Sequence, residues 1–91
     1  MAHMHFTIRV ADFGKWKALM LGDKQAQLDA EMVLLRIWRC REDRNRAFFL
    51  MEVHDENKAL AFLAPSRSEE SKKAAGVLEF EWSFVEREEI A

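Results

Sequence analysis

The chain has 91 residues, of which 49% are hydrophobic and 33% are charged, and its formal net charge is −2. These values fit one compact domain, and they exclude both a disordered segment and a chain with two separate cores. The small negative charge offers no general attraction for nucleic acid phosphates or anionic lipids. No apolar run approaches the ~20 residues of a membrane-spanning helix. We therefore expect neither nucleic acid nor a membrane among the partners.

A single cysteine, Cys40, limits the chemistry further. One cysteine forms no internal disulfide and no cysteine-based cluster, which predicts a reducing, cytoplasmic location. The histidines are too far apart for metal-ligand spacing, so no metal is expected. Residues 1–3 are typical of a cloning remnant ahead of Met4, and we expect a single domain at residues 4–91.

The first third of the chain predicts a strand followed by a helix. Hydrophobic residues alternate over residues 5–10, as in a strand with one buried face. Asp12 is suited to cap a helix over Phe13–Ala30, because its carboxylate can accept hydrogen bonds from the first free amides. The Gly22–Asp23 pair weakens this helix, so we expect a kink or a split there.

The middle of the chain predicts a hairpin and a second helical segment. Strands are expected at Met32–Cys40 and Arg46–Val53, joined by the polar loop Glu42–Asn45. Asp55 is suited to cap the helix that follows, and Pro65 is expected to end its first piece.

A further short helix and a last strand complete the pattern. Ser66 and Glu69 have capping-box spacing, and Gly76 is suited to end that helix. Alternation resumes over a strand from Val77 to about Glu86. The resulting order, β-α-β-β-α-β, predicts an α+β fold: a ferredoxin-like antiparallel sheet with helices on one face.

Pairing the hairpin strands around their loop predicts which side chains share a face. In this register Arg39 lies opposite Phe48, and Ile37 lies opposite Leu50. One face is almost purely apolar and is expected to lie under the helices: Phe6, Ile8, Val10, Leu34, Trp38, Phe49, Met51, Val53, Phe80, Trp82 and Phe84. Arg36 fits this face poorly and would have to extend to an edge. The opposite face is mixed: His5, Thr7, Arg9, Leu35, Ile37, Arg39, Phe48, Leu50, Glu52, Glu79, Glu81 and Ser83.

The mixed face has too much apolar surface to lie comfortably in water and too many charges to form a dry core. A second copy of the same sheet, packed across a partly wet cavity, would cover it. We therefore expect a homodimer whose inner sheet faces surround a site for a small-molecule ligand.

Four stretches resemble small dimeric α+β barrel proteins of the antibiotic biosynthesis monooxygenase-like superfamily. They are DFGKW at 12–16, RIWRCREDRN at 36–45, FFLMEVHDENKALAFL at 48–63 and KKAAGV at 72–77. The resemblance covers nearly the whole chain and implies the fold and the dimer. Members include cofactor-free oxygenases of polyketide aromatics, haem-degrading enzymes and isomerases. The chain departs from the pattern where Ala30–Glu31 stands in place of a glycine before strand two, and no Asn-Trp-His haem-degrading set can be placed on it.

Ionisable residues on the mixed face are the candidate catalytic groups. The imidazole of His5 is suited to act as a general base, and so is the carboxylate of Glu52. Arg9 and Arg39 would stabilise the resulting anion. The alternative interpretation makes His5 an exposed residue near the N-terminus and the charged groups inter-subunit ion pairs.

The remaining mixed-face residues are candidate substrate contacts: Thr7, Ile37, Phe48, Leu50, Glu79 and Glu81. Elsewhere, structural interpretations are favoured. Trp16, Trp38 and Trp82 occur at helix and strand spacing and are expected in the core. Cys40 has no neighbour that would form a nucleophile pair, and His54 is expected at the surface before a helix cap.

Two functions from different classes remain open. One is a small cofactor-independent enzyme of the oxygenase, cyclase or isomerase type, acting on a compact aromatic or enolisable substrate in the cavity of a homodimer. The other is a non-catalytic dimer that binds a small ligand or serves as an interaction module. A solvent-connected pocket of ~300 Å³ or more would favour small-molecule binding.

Overall fold

The computed structural model describes residues 2–64 and 73–90, which form a four-stranded antiparallel sheet with helices on one face. The elements are, in chain order, β1 Ala2–Val10, α1 Phe13–Gly22, α2 Lys24–Asp29, β2 Met32–Arg39, β3 Arg46–Val53, α3 Glu56–Phe62 and β4 Val77–Val85. Residues 73–75 are also helical and lead into β4. The strand order is β2-β3-β1-β4, so β3 and β1 are central. The predicted ferredoxin-like α+β fold is confirmed.

Local capping signals set the helix boundaries. Asp12 begins α1 and Asp55 begins α3, and each carboxylate accepts a hydrogen bond at 3.0 Å from the backbone amide three residues further on. Such a cap satisfies an amide that has no partner inside the helix. The expected break at Gly22–Asp23 is also confirmed, because α1 ends there and α2 begins directly after it.

The core lies between the helices and the sheet, mainly on β1 and β3. Burial alternates along both strands, as expected for strands with one covered face. Phe6 stacks on Phe49 with ring centroids 4.4 Å apart, and Trp16 of α1 packs on Phe49 at 5.6 Å. β1 begins at Ala2, earlier than the predicted residue 5, because Ala2 and Met4 pair with the end of β3, where Met4 is fully buried.

The predicted register of β2 against β3 is wrong, because β2 contains a β-bulge. Leu34 pairs with Met51 on the helix side of the sheet. The next pair along the ladder joins Arg36 to Leu50, which leaves Leu35 as an extra residue in β2. Since side chains alternate with a period of two, one extra residue reverses the faces of all residues that follow it.

The bulge corrects the positions of two candidate site residues. Ile37 and Arg39 pair with residues of β3 that point towards the helices, so both lie on the helix side and not on the mixed face. The Arg39 guanidinium carbon lies 4.2 Å from the centroid of the Phe13 ring at the start of α1. This cation–π contact gives Arg39 a structural role at the edge of the core.

Arg36 and Trp38 move the other way, onto the side of the sheet that carries no helices. We call this side the open face. Its members are His3, His5, Thr7 and Arg9 of β1, Val33, Arg36 and Trp38 of β2, Arg46, Phe48, Leu50 and Glu52 of β3, and Glu79, Glu81, Ser83 and Val85 of β4. Trp38 was predicted in the core, but its side is uncovered and the residue is 48% exposed. The poor fit of Arg36 to the helix side disappears with the corrected register.

Glu31, between α2 and β2, has a positive φ of 56°. This is the position at which the resemblance calls for a glycine. A non-glycine residue in this left-handed region costs roughly 1–2 kcal/mol. The Glu31 carbonyl accepts a hydrogen bond from the His54 amide at 2.9 Å, and its carboxylate lies 3.0 Å from Lys58 Nζ. These contacts hold the turn in its unfavourable conformation.

Some predicted features of the second helical segment lie outside the described residues, namely its end at Pro65 and the capping box of Ser66 and Glu69. Gly76 has a φ of 68° and follows the helical residues 73–75, as expected for a glycine that ends a helix. No helix within residues 2–64 and 73–90 is long and apolar enough to cross a membrane.

Candidate ligand cavity

A cavity of about 510 Å³ lies between the helices and the helix side of the sheet. The described residues that line it are Phe6, Ile8, Trp16, Ala18, Leu19, Met20, Gly22, Asp23, Gln27, Met32, Phe49, Met51, Phe62, Leu63, Ala74, Ala75, Val77 and Phe80. They come from all four strands and from each helical segment. The volume falls within the ~300–1,000 Å³ range of small-molecule sites.

The cavity walls are aromatic and flexible. Trp16 packs against Phe49, and Phe6 packs against both Phe49 and Phe80, at centroid distances of 5.6, 4.4 and 5.7 Å. Aromatic faces of this kind favour a flat, apolar ligand. Three methionines also line the space, and unbranched thioether side chains adapt easily to the shape of a ligand.

One fully polar side chain is buried in this wall. Gln27 of α2 is 6% exposed, and its Nε2 donates a hydrogen bond to the Met20 carbonyl oxygen at 3.0 Å. The same nitrogen lies 3.5 Å from the Met20 sulfur. The Met20 carbonyl belongs to the last turn of α1, where carbonyl groups lack helical partners. Gln27 therefore closes the break between the two helices and lines the cavity at the same time.

Ionisable groups are scarce in the cavity. Among the described lining residues, Asp23 alone carries an ionisable side chain, and it lies at the exposed junction of α1 and α2. The lining includes no histidine, lysine or arginine from residues 2–64 and 73–90. The described part of the lining therefore suits a neutral molecule, because it contributes no cation that would stabilise a negatively charged one.

None of the predicted catalytic or substrate-binding residues lines this cavity. As expected, most of them share one sheet face: His5, Thr7, Arg9, Phe48, Leu50, Glu52, Glu79 and Glu81 lie on the open face. Their roles in catalysis or binding stay predictions. Ile37 and Arg39 lie on the helix side, away from this group, because of the bulge.

Two contacts involve candidate catalytic residues of the open face. The His5 ring stacks on Phe48 with centroids 6.3 Å apart. Glu52 lies at the end of the same face, where its Oε1 is 2.7 Å from His54 Nε2, a hydrogen-bond distance. His54, expected as a surface residue, is indeed exposed, yet it holds one of the candidate carboxylates.

A network of ion pairs ties the hairpin loop to the open face. Arg9 Nη2 lies 2.9 Å from Asp43 Oδ2, and Arg9 Nη1 lies 3.4 Å from Glu79 Oε1. Arg46 approaches the same two carboxylates at 3.9 and 3.7 Å. The hydrogen bond from Arg9 is the main cause that lowers the pKa of Asp43. Arg9 thus has ion-pair partners within its own chain, whereas the alternative interpretation expected partners across a subunit interface.

The sequence analysis did not identify the cavity residues as a site, because their types and spacing are those of ordinary core residues. One signal was available in the helix, since Trp16 and Met20 are four residues apart and Gln27 follows seven residues later. Positions with this spacing share one helix face. A glutamine on an otherwise apolar face is a candidate ligand contact.

Comparisons with known proteins support the fold. A protein from Deinococcus radiodurans, provisionally named an antibiotic biosynthesis monooxygenase, shares 14% identity and a TM-score of 0.62, over 100% of this chain and 96% of that chain. The protein Atu4242 from Agrobacterium tumefaciens shares 9% identity and a TM-score of 0.71, over 100% and 97% of the two chains. An uncharacterized NIPSNAP domain protein from Burkholderia xenovorans shares 16% identity and a TM-score of 0.57, over 100% and 98%.

These identities are low, so the likeness is one of fold. At that level the resemblance noted from the sequence is confirmed. No protein-family model and no curated protein sequence matches the chain. In the part of the chain that the structure describes, no three histidine, cysteine, aspartate or glutamate side chains converge to hold a metal ion.

Proposed function

We propose that the protein is a small homodimeric enzyme that acts, without a bound cofactor, on a compact aromatic substrate in the helix-side cavity of each protomer. The cavity of about 510 Å³ with its aromatic walls is the observation that carries this proposal. The reaction class is the oxygenase, cyclase or isomerase type. The Deinococcus radiodurans neighbour and its provisional name support this class.

The cavity suits substrates that bring their own reactivity. An electron-rich or enolisable aromatic needs mainly a dry, well-shaped site and the loss of one proton. Asp23 is the lining group that could accept such a proton, and it lies at the helix junction beside Gln27. In this proposal the predicted open-face bases, His5 and Glu52, serve the assembly of the dimer.

Assembly of the dimer on the open face is supported by its exposed apolar surface. Val33 and Trp38 of β2 are 38% and 48% exposed, and Phe48 and Leu50 of the neighbouring β3 are half-buried. A contiguous apolar patch of this kind marks an interaction site. A second copy of the same face would cover it.

Charge selects the orientation of the second copy. Arg36 lies on β2 at one edge of the sheet, and Glu79 and Glu81 lie on β4 at the other edge. A two-fold axis in the interface, parallel to the strands, places β2 of one protomer over β4 of its partner. A perpendicular axis would instead place Arg36 near its own copy, which is electrostatically unfavourable.

A charge reversal tests this interface. The change Arg36→Glu should shift the dimer towards monomer in sedimentation equilibrium, and adding Glu81→Arg should restore the dimer. Arg41→Glu makes the same charge change in the exposed hairpin loop and should leave the equilibrium in place. A monomeric wild-type protein, or a dimer indifferent to both open-face changes, would contradict the proposed interface.

Blocking the cavity tests the site. Ala75 lines the cavity, so Ala75→Phe should lower turnover of an identified substrate by at least about tenfold, because binding and positioning are lost together. Ala61→Phe adds the same ring to an exposed position of α3 and should leave turnover unchanged. The substrate is found by screening hydroxylated aromatics for oxygen uptake and for new products.

Open-face variants separate the proposed site from the one predicted first. His5→Ala and Glu52→Gln should leave turnover per dimer within about twofold of wild type, since neither residue touches the cavity. If these variants abolish turnover in an intact dimer while Ala75→Phe does not, the active site lies on the open face.

A second candidate function is non-catalytic binding of the same class of ligand. The observation that favours it is the single ionisable side chain, Asp23, among the described lining residues. Binding without turnover in the screen, with the same loss of binding in Ala75→Phe, supports this function. Turnover that Asp23→Asn reduces without weakening substrate binding supports the enzyme.

A further inference from the structure

The Gln27 side chain has one acceptor atom, Oε1, that receives no hydrogen bond from the residues that the structure describes. Its Nε2 is committed to Met20, whose carbonyl can only accept, so the hydrogen bond fixes which end of the amide is nitrogen. The Oε1 atom then points away from that carbonyl. No donor within residues 2–64 and 73–90 reaches Oε1.

This oxygen is also accessible. The described residues contain no buried side-chain nitrogen or oxygen that lacks a hydrogen-bond partner. Because Oε1 has no partner, it must be among the atoms that solvent can reach, although Gln27 as a whole is 6% exposed. Gln27 is among the residues that line the cavity, so a ligand held there lies beside this side chain.

The rest of the lining sets the charge that the ligand can carry. Asp23 contributes a negative charge near Gln27, and no basic side chain from the described residues lines the space to offset it. An anion would lose its hydration and meet a carboxylate, which is unfavourable. A neutral hydroxyl or amine loses less and can donate a hydrogen bond to Oε1.

We infer that Gln27 determines ligand specificity: the cavity takes neutral aromatic molecules that carry one hydrogen-bond donor, and the Gln27 amide oxygen accepts that bond. The inference rests on the proposed use of the cavity as a small-molecule site and adds the chemical class of the ligand. The amide is held in place by Met20, so it pays little ordering cost when the ligand binds.

The test compares three matched probes by isothermal titration calorimetry on the full-length wild-type protein at neutral pH. The probes are 1-naphthol, which donates a hydrogen bond, 1-methoxynaphthalene, which cannot, and the anion 1-naphthoate. We expect 1-naphthol to bind about 3- to 10-fold more tightly than 1-methoxynaphthalene, the effect of one net hydrogen bond. The anion should bind more weakly than either.

The variant Gln27→Leu should bind 1-naphthol and 1-methoxynaphthalene with equal affinity. Circular dichroism and gel filtration check that this variant is folded, because Gln27 also holds the end of α1. If it does not fold, the wild-type comparison still decides, since the donor is removed from the ligand and not from the protein.

The outcomes distinguish a failed role for Gln27 from a failed role for the cavity as a binding site. Equal binding of 1-naphthol and 1-methoxynaphthalene to the wild type overturns the role of Gln27 and leaves the cavity as a binding site. Tight binding of 1-naphthoate overturns the predicted exclusion of anions. If no probe binds and Ala75→Phe has no effect on any ligand, the proposed function fails, and the inference fails with it.

Discussion

Replacing Glu31 by glycine should stabilise the turn that joins two walls of the cavity. Glu31 lies between α2, which carries Gln27, and β2, which begins with Met32, and its φ of 56° is in the left-handed region. Glycine adopts this conformation without steric cost. The change therefore removes a strain of roughly 1–2 kcal/mol from the folded state.

Two opposing effects set the size of the gain. Glycine also increases the conformational freedom of the unfolded chain, which costs about 0.4–1 kcal/mol. The change removes the contact between the carboxylate and Lys58 as well. A matched variant, Glu31→Ala, loses the same contact but keeps the strained backbone. The comparison of glycine with alanine thus isolates the backbone effect, with an expected difference of about 0.5–1 kcal/mol in favour of glycine.

Thermal unfolding at one fixed protein concentration measures the difference. For a domain of this size, 1 kcal/mol corresponds to a shift in Tm of roughly 4–8 °C. We expect Glu31→Gly to unfold a few degrees above Glu31→Ala. Equal Tm values, or a lower value for glycine, would show that the backbone strain at Glu31 does not exceed the entropy cost of glycine, which contradicts the expected strain of roughly 1–2 kcal/mol.

Three further changes test the register, the ion-pair network and the interface. Arg39→Ala should lower stability in urea by about 0.5–1 kcal/mol, because it removes the cation–π contact with Phe13, and a neutral result would contradict the bulged register. Asp43→Asn should lower the free energy of unfolding at pH values above the ordinary carboxyl pKa of about 3.8. The loss should shrink as pH falls through the lowered Asp43 pKa of the folded protein, because protonation removes the same charge from the wild type. A difference in unfolding free energy that persists at the most acidic pH would refute this. If the protein forms the proposed dimer, the Tm of Arg36→Glu should depend less on protein concentration than the Tm of the wild type, because the change weakens association and not the protomer.

Local features were predictable because each depends on few residues. Asp12 and Asp55 cap their helices by contacts only three residues away, and the Gly22–Asp23 pair breaks the first helix through its own backbone preferences. The alternation along β1 and β3 likewise predicted their buried faces, because both strands are central and covered on one side.

The register of β2 was not predictable in the same way. A loop length fixes pairing only if the strand is regular, and the bulge at Leu35 breaks that condition. The sequence held one hint, because Leu34 and Leu35 are consecutive and Arg36 would otherwise face the helices. An extra residue at this point lets Leu34 face the helices while Arg36 faces away from them.

The cavity could not be predicted, because its position depends on how the helices pack and its lining residues form no unusual pattern in the sequence. Trp16 and Phe49 are typical core residues, and the space beside them depends on how the helices pack on the sheet, which the order of elements does not specify. The open face attracted attention instead because it collects ionisable side chains, which are the usual signal of a catalytic site.

The two faces of the sheet therefore differ in a way that was not expected: the charged residues and the ligand-sized space lie on opposite faces. Charges concentrate on the open face, where Arg9 and Glu52 already have partners within the same chain, and this is the surface that a second copy would cover. The helix side holds a space of ligand size, to which the described residues contribute a single carboxylate and a single amide side chain. Any catalysis in that space must rely on the reactivity of the substrate and on exclusion of water, because the walls supply almost no ionisable groups. Affinity for a neutral, donor-bearing aromatic is the property that both the enzyme and the binding protein require, so it is the first property to measure.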